Sequence, residues 1–133
     1  MGAERNIINE QLLRLSYKDE RNIRNFLKNW GGLESLSLKG DTVAMCIIAD
    51  LKEVTGIYPE NFSRQSKEKF NLGYLRGRLS HYQYMSIAYV LVLGYSQEEV
   101  AYIMGVERSV VSRNIDSGIR RIKRALKAEL EED

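Results

Sequence analysis

One cysteine, one histidine and one proline are all that this chain of 133 residues holds of three informative residue types. A single thiol excludes an intrachain disulfide, and one Cys with one His cannot assemble a structural zinc site. That scarcity suits a reducing, cytoplasmic setting. With one proline and few β-branched runs outside helical patterns, an all-α fold is expected. No apolar run approaches the ~20 residues of a membrane span, so no membrane partner is expected. The opening MGAERNIINE has charges and no apolar centre, unlike a secretory signal. No nucleophile–base pair, glycine-rich phosphate loop or metal-ligand spacing stands out, so neither an enzyme nor a cofactor is expected. Net charge is nearly absent too, at +2. The balance by itself does not point to nucleic acid; the clustering of the charges does.

Hydrophobic residues make up 44% and charged residues 29%, a globular rather than a disordered composition. Ile8, Leu12, Leu15, Ile23, Phe26, Leu27 and Trp30 recur at helical spacing. They predict one long helix over 6–29, or two with a break near Ser16 to Asp19, ended by Gly31-Gly32. Its stripe must be buried, by packing, by a homodimer contact or by a partner such as RNA polymerase. Residues 33–40, LESLSLKG, read as a linker. Asp41 and Thr42 can cap a further helix whose face is Val43, Ala44, Ile47, Ile48, Leu51 and Val54, closed by Gly56. Cys46, on or beside that face, reads as a small buried hydrophobe.

Residues 57–66, IYPENFSRQS, are turn-rich and read as a linker between an N-terminal helical region, 1–56, and a DNA-binding domain, 67–133. Ser66 is a candidate cap for a helix reaching Leu79, with Gly73 and Gly77 spaced to let a neighbour approach closely. His81 to Leu93 predicts a support helix with Tyr82, Met85, Ser86, Tyr89, Val90 and Leu93 on one face, widened by Ile87 and Leu91, and with Gly94 at its end. The tyrosines at 82, 84, 89, 95 and 102 read as core residues with hydroxyls at the rim rather than as base-stacking platforms.

The most informative stretch is YSQEEVAYIMGVERSVVSRNIDSGIRRIKRAL, Tyr95 to Leu126. Ser96 with Glu99 predicts a capping box. Val100, Ile103 and Met104 share a face, Gly105 supplies a left-handed helix end, and Val106 plugs the turn. A second helix from Arg108 carries Val111, Ile115, Ile119, Ile122 and Leu126 as one apolar stripe. Off the stripe lie Arg108, Ser109, Ser112, Arg113, Asn114 and Asp116, then Arg120, Arg121, Lys123, Arg124 and Lys127. From 108 to 127 seven basic residues face one acid, Asp116, which suits a phosphate backbone. The acidic end, Glu129 to Asp133, reads as a solvated terminus or as a cover folded back on this basic helix.

This stretch resembles the helix-turn-helix of region four of bacterial sigma factors and of phage-encoded sigma-like transcription regulators. The residues that carry the resemblance are YSQEEVAYIMGV, ERSVVSRNI and GIRRIKRAL, with LSHYQYMSIAYVLVLGY similar to the helix before the motif. It covers 79–126, a little over a third of the chain. Glu107 departs from the pattern, standing where the family has Ser or Thr. The resemblance implies a sequence-specific transcription regulator, encoded by a phage or prophage, that binds double-stranded DNA and in some members RNA polymerase. Arg108 and Arg113 are then the main base or phosphate contacts, Ser109, Ser112 and Asn114 secondary ones, and Arg120, Arg121 and Arg124 backbone contacts. Two other roles suit the same motif: a small terminase-type packaging subunit, which assembles rings, and a sigma-like module that holds polymerase without DNA.

Overall fold

The computed structural model describes residues 15–59 and 77–131, with side chains described to residue 128. The described residues are helical, with no strand among them. In chain order the elements are α1 (Glu20–Lys28), α2 (Trp30–Leu38), α3 (Thr42–Thr55), α4 (His81–Ser86) continuing as a π-helical run (Ile87–Val92), α5 (Gln97–Met104) and α6 (Arg108–Glu131). The expected helix over 6–14, the linker from residue 60 onward and the Ser66 cap lie outside the described residues.

The break near Ser16 to Asp19 is present, and Asp19 caps α1 by accepting from the Arg21 amide. Gly31-Gly32 does not stop a helix, and 33–40 is not a loop. The chain kinks only at Asn29, and α2 begins at Trp30. Both glycines fall in its first turn, where amide groups lack intrahelical partners in any helix, so weak propensity costs little. Trp30 and Leu33 are buried, and the Trp30 indole donates to Glu34 Oε1 at 2.9 Å; packing of α2 against α3 outweighs the local signal. Asp41 caps α3 through the Ala44 amide, and Gly56 ends it at φ 74°. Ala44, Ile47, Ile48, Leu51 and Val54 are buried as expected, but Cys46 is exposed. It lies two residues beyond Ala44, so about 200° of helical rotation carries it to the opposite side.

One hydrophobic core joins residues from all six helices, including Leu27, Trp30, Leu51, Ile87, Val100 and Ile119. At its centre is α6, which packs on α1, α3, α4 and α5. Its stripe Val111, Ile115, Ile119, Ile122 and Leu126 is fully buried. Of the face predicted for the support helix, Met85, Ser86, Ile87 and Leu91 are buried and Tyr89 and Val90 half-buried against the core, whereas Tyr82 and Leu93 are exposed. Tyr84 and Ala88 are buried in addition. The segment is apolar nearly all round, and the position of α6 decides where its buried face ends.

Tyr17 is buried, and its Oη donates to Asp50 Oδ2 at 2.7 Å, tying the chain before α1 to α3. Desolvation raises the Asp50 carboxyl above its ordinary value; the Tyr17 bond pulls it down and nearby Glu53 pushes it up again. The folded chain therefore binds this proton more tightly than the unfolded chain, so stability from this group is full below the ordinary carboxylate range and lost as pH rises through the raised folded value. Asp50→Asn keeps an acceptor for Tyr17 and removes the charge. Its unfolding free energy is expected to exceed the wild-type value at pH 7, with the gap narrowing as pH falls towards 4. Paired urea titrations across that range measure it, and a gap independent of pH would contradict the assignment.

Candidate nucleic-acid interface

Residues 95–108 explain why a tight two-helix corner forms. Ser96 Oγ accepts from the Glu99 amide at 3.1 Å. The hydroxyl also meets the Glu99 carboxylate at 3.1 Å, so Glu99 returns to the cap side chain rather than to its backbone. A full reciprocal box stands one helix earlier, where Ser80 accepts from the Gln83 amide and Gln83 Oε1 accepts from the Ser80 amide. Gly105 ends α5 at φ 68°, and the Val106 amide donates to Ala101 O at 3.0 Å, turning half-buried Val106 towards the core. The Glu107 carbonyl then accepts from Val110 and opens α6.

Of the face predicted for α5, Val100 is buried and Met104 half-buried against the core, but Ile103 is outside and Ala101 is buried in its place. Ile103 is 53% exposed and Tyr102 89%. Eight residues offer α6 a narrow contact, and the small Ala101 lets the helices meet there. Tyr102 is thus no core residue, whereas Tyr84 is.

The candidate contact residues all lie on α6 but do not form one surface. Arg108, Ser109, Arg113, Arg120 and Arg124 are exposed. Opposite the buried stripe, Arg113, Arg120, Arg124 and Lys127 follow at intervals of seven, four and three, a straight basic row. With a rise of 1.5 Å per residue it spans about 21 Å. Arg113 Nε donates to Ser109 O at 3.3 Å. Arg108 lies 3.6 Å from Glu98 on α5, both side chains largely in solvent; such a pair contributes only ~0–1 kcal/mol and yields readily to a phosphate. Ser112 is half-buried. Asn114 is half-buried and folds back, donating to Val110 O at 2.8 Å. Arg121 turns off the row towards α4, with Nη1 3.5 Å from Gln83 Oε1.

Two residues that the sequence did not single out shape this surface. Gln83 holds α4 to α6, donating from Nε2 to Ser117 Oγ at 3.1 Å. Arg24 of α1 pairs with Asp116 at 2.7 Å. The one signal for Gln83 was its place three residues after Ser80, the spacing of a capping box. Arg24 had none, because its partner is 92 residues away.

Among the described residues no His, Cys, Asp and Glu side chains gather in threes where a metal ion would fit, and no helix is long and apolar enough to cross a membrane. Comparison of the chain with protein-family models, with curated proteins and with solved structures finds no match.

Proposed function

We propose that this protein is a sequence-specific DNA-binding transcription regulator of the sigma-region-four-like kind, encoded by a phage or prophage. The observation that carries the reading is the exposed basic row of α6, a helix whose opposite stripe is fully buried, presented beside a capped two-helix corner. In this reading α6 enters the major groove with Arg108, Ser109 and Arg113 nearest the base edges. Arginine matches the two acceptors of guanine bidentately. Arg120 and Arg124 hold phosphates, which fix register without reading sequence. Ser112, Asn114 and Arg121 are secondary, since each is half-buried or turned towards its own fold. One helix-turn-helix makes few contacts, so a second copy or RNA polymerase supplies the rest of the affinity.

Selection of bound duplexes from a random pool tests the reading, and is expected to enrich one motif. On that motif Arg113→Ala is expected to cost ~1–3 kcal/mol and to relax preference at one base pair if Arg113 reads a base. A uniform loss on matched and mutated sites reassigns it to phosphate. No binding to any duplex at low salt overturns the reading.

A further inference from the structure

We infer that α1 is part of the duplex-binding surface and supplies a second row of phosphate contacts beside α6. This inference rests on the proposed function and extends it to the N-terminal half of the chain. Two ion pairs set the geometry. Arg24 meets Asp116 at 2.7 Å, and Glu20 meets Lys123 at 3.9 Å. As the number falls from 24 to 20 along α1 it rises from 116 to 123 along α6, so the helices run antiparallel.

The Arg24–Asp116 pair lies at the middle of a cross of basic residues. On α1, Arg21 and Lys28 stand three residues before and four after Arg24, the spacings that make neighbours on one helix face. On α6, Arg113 and Arg120 stand three before and four after Asp116. All four flanking residues are exposed. Asp116 is the one acid on α6 between residues 108 and 128, and Arg24 neutralises it. What remains outward is a pair of antiparallel basic rows, each with members about 10 Å apart along its axis. Packed helix axes lie about 8–10 Å apart.

No acid faces Arg21, Lys28, Arg113 or Arg120 closely enough to form an ion pair among the described residues. A cluster of this kind repels itself in the free protein and gains when a polyanion settles on it. The partner has to accept one row inside a groove and offer a line of negative charge to the other, one helix spacing away. A duplex meets that need, because a phosphate row borders each side of a major groove about 12 Å wide. With α6 in the groove, α1 rides over one of its edges. Phosphate neutralisation is what this row provides; base reading stays with α6.

The test measures binding of the full chain to a fluorescent duplex as a function of salt. Each phosphate contact contributes a slope of about −0.9 in log affinity against log salt. Arg21→Ala with Lys28→Ala is expected to lower the slope by about 1.8, equally on every duplex sequence, with an unchanged melting curve. Lys39→Glu removes the same amount of positive charge from the end of α2 and is expected to leave the slope within experimental error. If the wild type binds no duplex, the proposed function falls and this inference with it. If the wild type binds and Arg113→Ala with Arg120→Ala flattens its slope while the α1 pair does not, only the role of α1 is overturned. A Lys39→Glu effect as large as that of the α1 pair overturns it as well, because net charge then replaces position as the cause.

Discussion

Val111→Asp is expected to leave the chain without a cooperative unfolding transition. Val111 is 0% exposed and heads the apolar stripe of the helix on which α1, α3, α4 and α5 all pack. An aspartate there would enter the apolar core that Val111 shares with Val100 and Ile115. Its carboxylate must be desolvated or held protonated, and either costs several kcal/mol. Total stability for a domain of this size is of the order of 5–15 kcal/mol, so this one group removes most of it. Thermal circular dichroism reads the outcome. Two companions locate the cause. Val111→Ala removes two methyl groups and adds no charge, and is expected to cost about 1–3 kcal/mol while keeping a sigmoidal melt. Ile103→Asp places the same charge in the last turn of α5 but on its outer side, and is expected to cost only about 1–2 kcal/mol while keeping a sigmoidal melt. A cooperative Val111→Asp variant melting near the wild type would remove Val111 from the core and α6 from the centre of the fold.

The stripe of α6 was legible because its periodicity is long and clean. Five branched apolar residues repeat at three and four among arginines, lysines and serines, so only one face can be buried. The stops at Gly56, Gly94 and Gly105 were legible for a local reason: each has positive φ, which glycine adopts without strain. Where the sequence misled, the deciding partner lay elsewhere in the chain. Gly31-Gly32 reads as a stop until α3 provides a surface for Trp30 and Leu33. Tyr82 and Leu93 read as core until the position of α6 leaves them outside and buries Tyr84 and Ala88 instead. In α5 the counts of apolar residues on two faces are close, and the contact with α6 leaves Ile103 outside.

The candidate site divides in the same way. That Arg113, Arg120 and Arg124 share one face of α6 follows from helical arithmetic alone. That Asp116 is neutralised, and that Arg21 and Lys28 flank its partner, depends on a contact between helices at opposite ends of the sequence. Composition hid it as well. The +2 charge of the whole chain averages over a basic edge and acids elsewhere, so the edge is visible only once α1 is laid against α6.

Gly77→Ala is expected to be the most damaging single-methyl addition among the described glycines, and the reason is backbone against backbone. A Cβ built on Gly77 would stand 2.3 Å from the Thr55 carbonyl carbon, 2.5 Å from its oxygen and 2.6 Å from the Gly56 nitrogen. These atoms cannot step aside. Thr55 Oγ1 donates to Leu51 O at 2.6 Å and accepts from the Ile57 amide at 3.0 Å, fixing the end of α3. The next residue seals the contact, as the Arg78 amide donates to Val54 O at 2.7 Å. The methyl must therefore separate the strand of chain leading into α4 from the end of α3, breaking that bond and loosening Leu79, which is buried alongside. Overpacking of this kind costs typically about 1–3 kcal/mol, a fall in melting temperature of roughly 3–15 °C for a chain of this length. Gly31→Ala is the control, because nothing lies within 4 Å of the added carbon and the site is in a helix. It is expected to raise stability by up to about 1 kcal/mol. Gly118→Ala falls between the two: its methyl meets the Ile87 Cδ1 at 2.4 Å, the end of a side chain that can rotate. The order Gly31, Gly118, Gly77 in melting temperature, highest first, is the measurable result. A Gly77→Ala variant as stable as the wild type would mean that α3 and the approach to α4 do not touch as described.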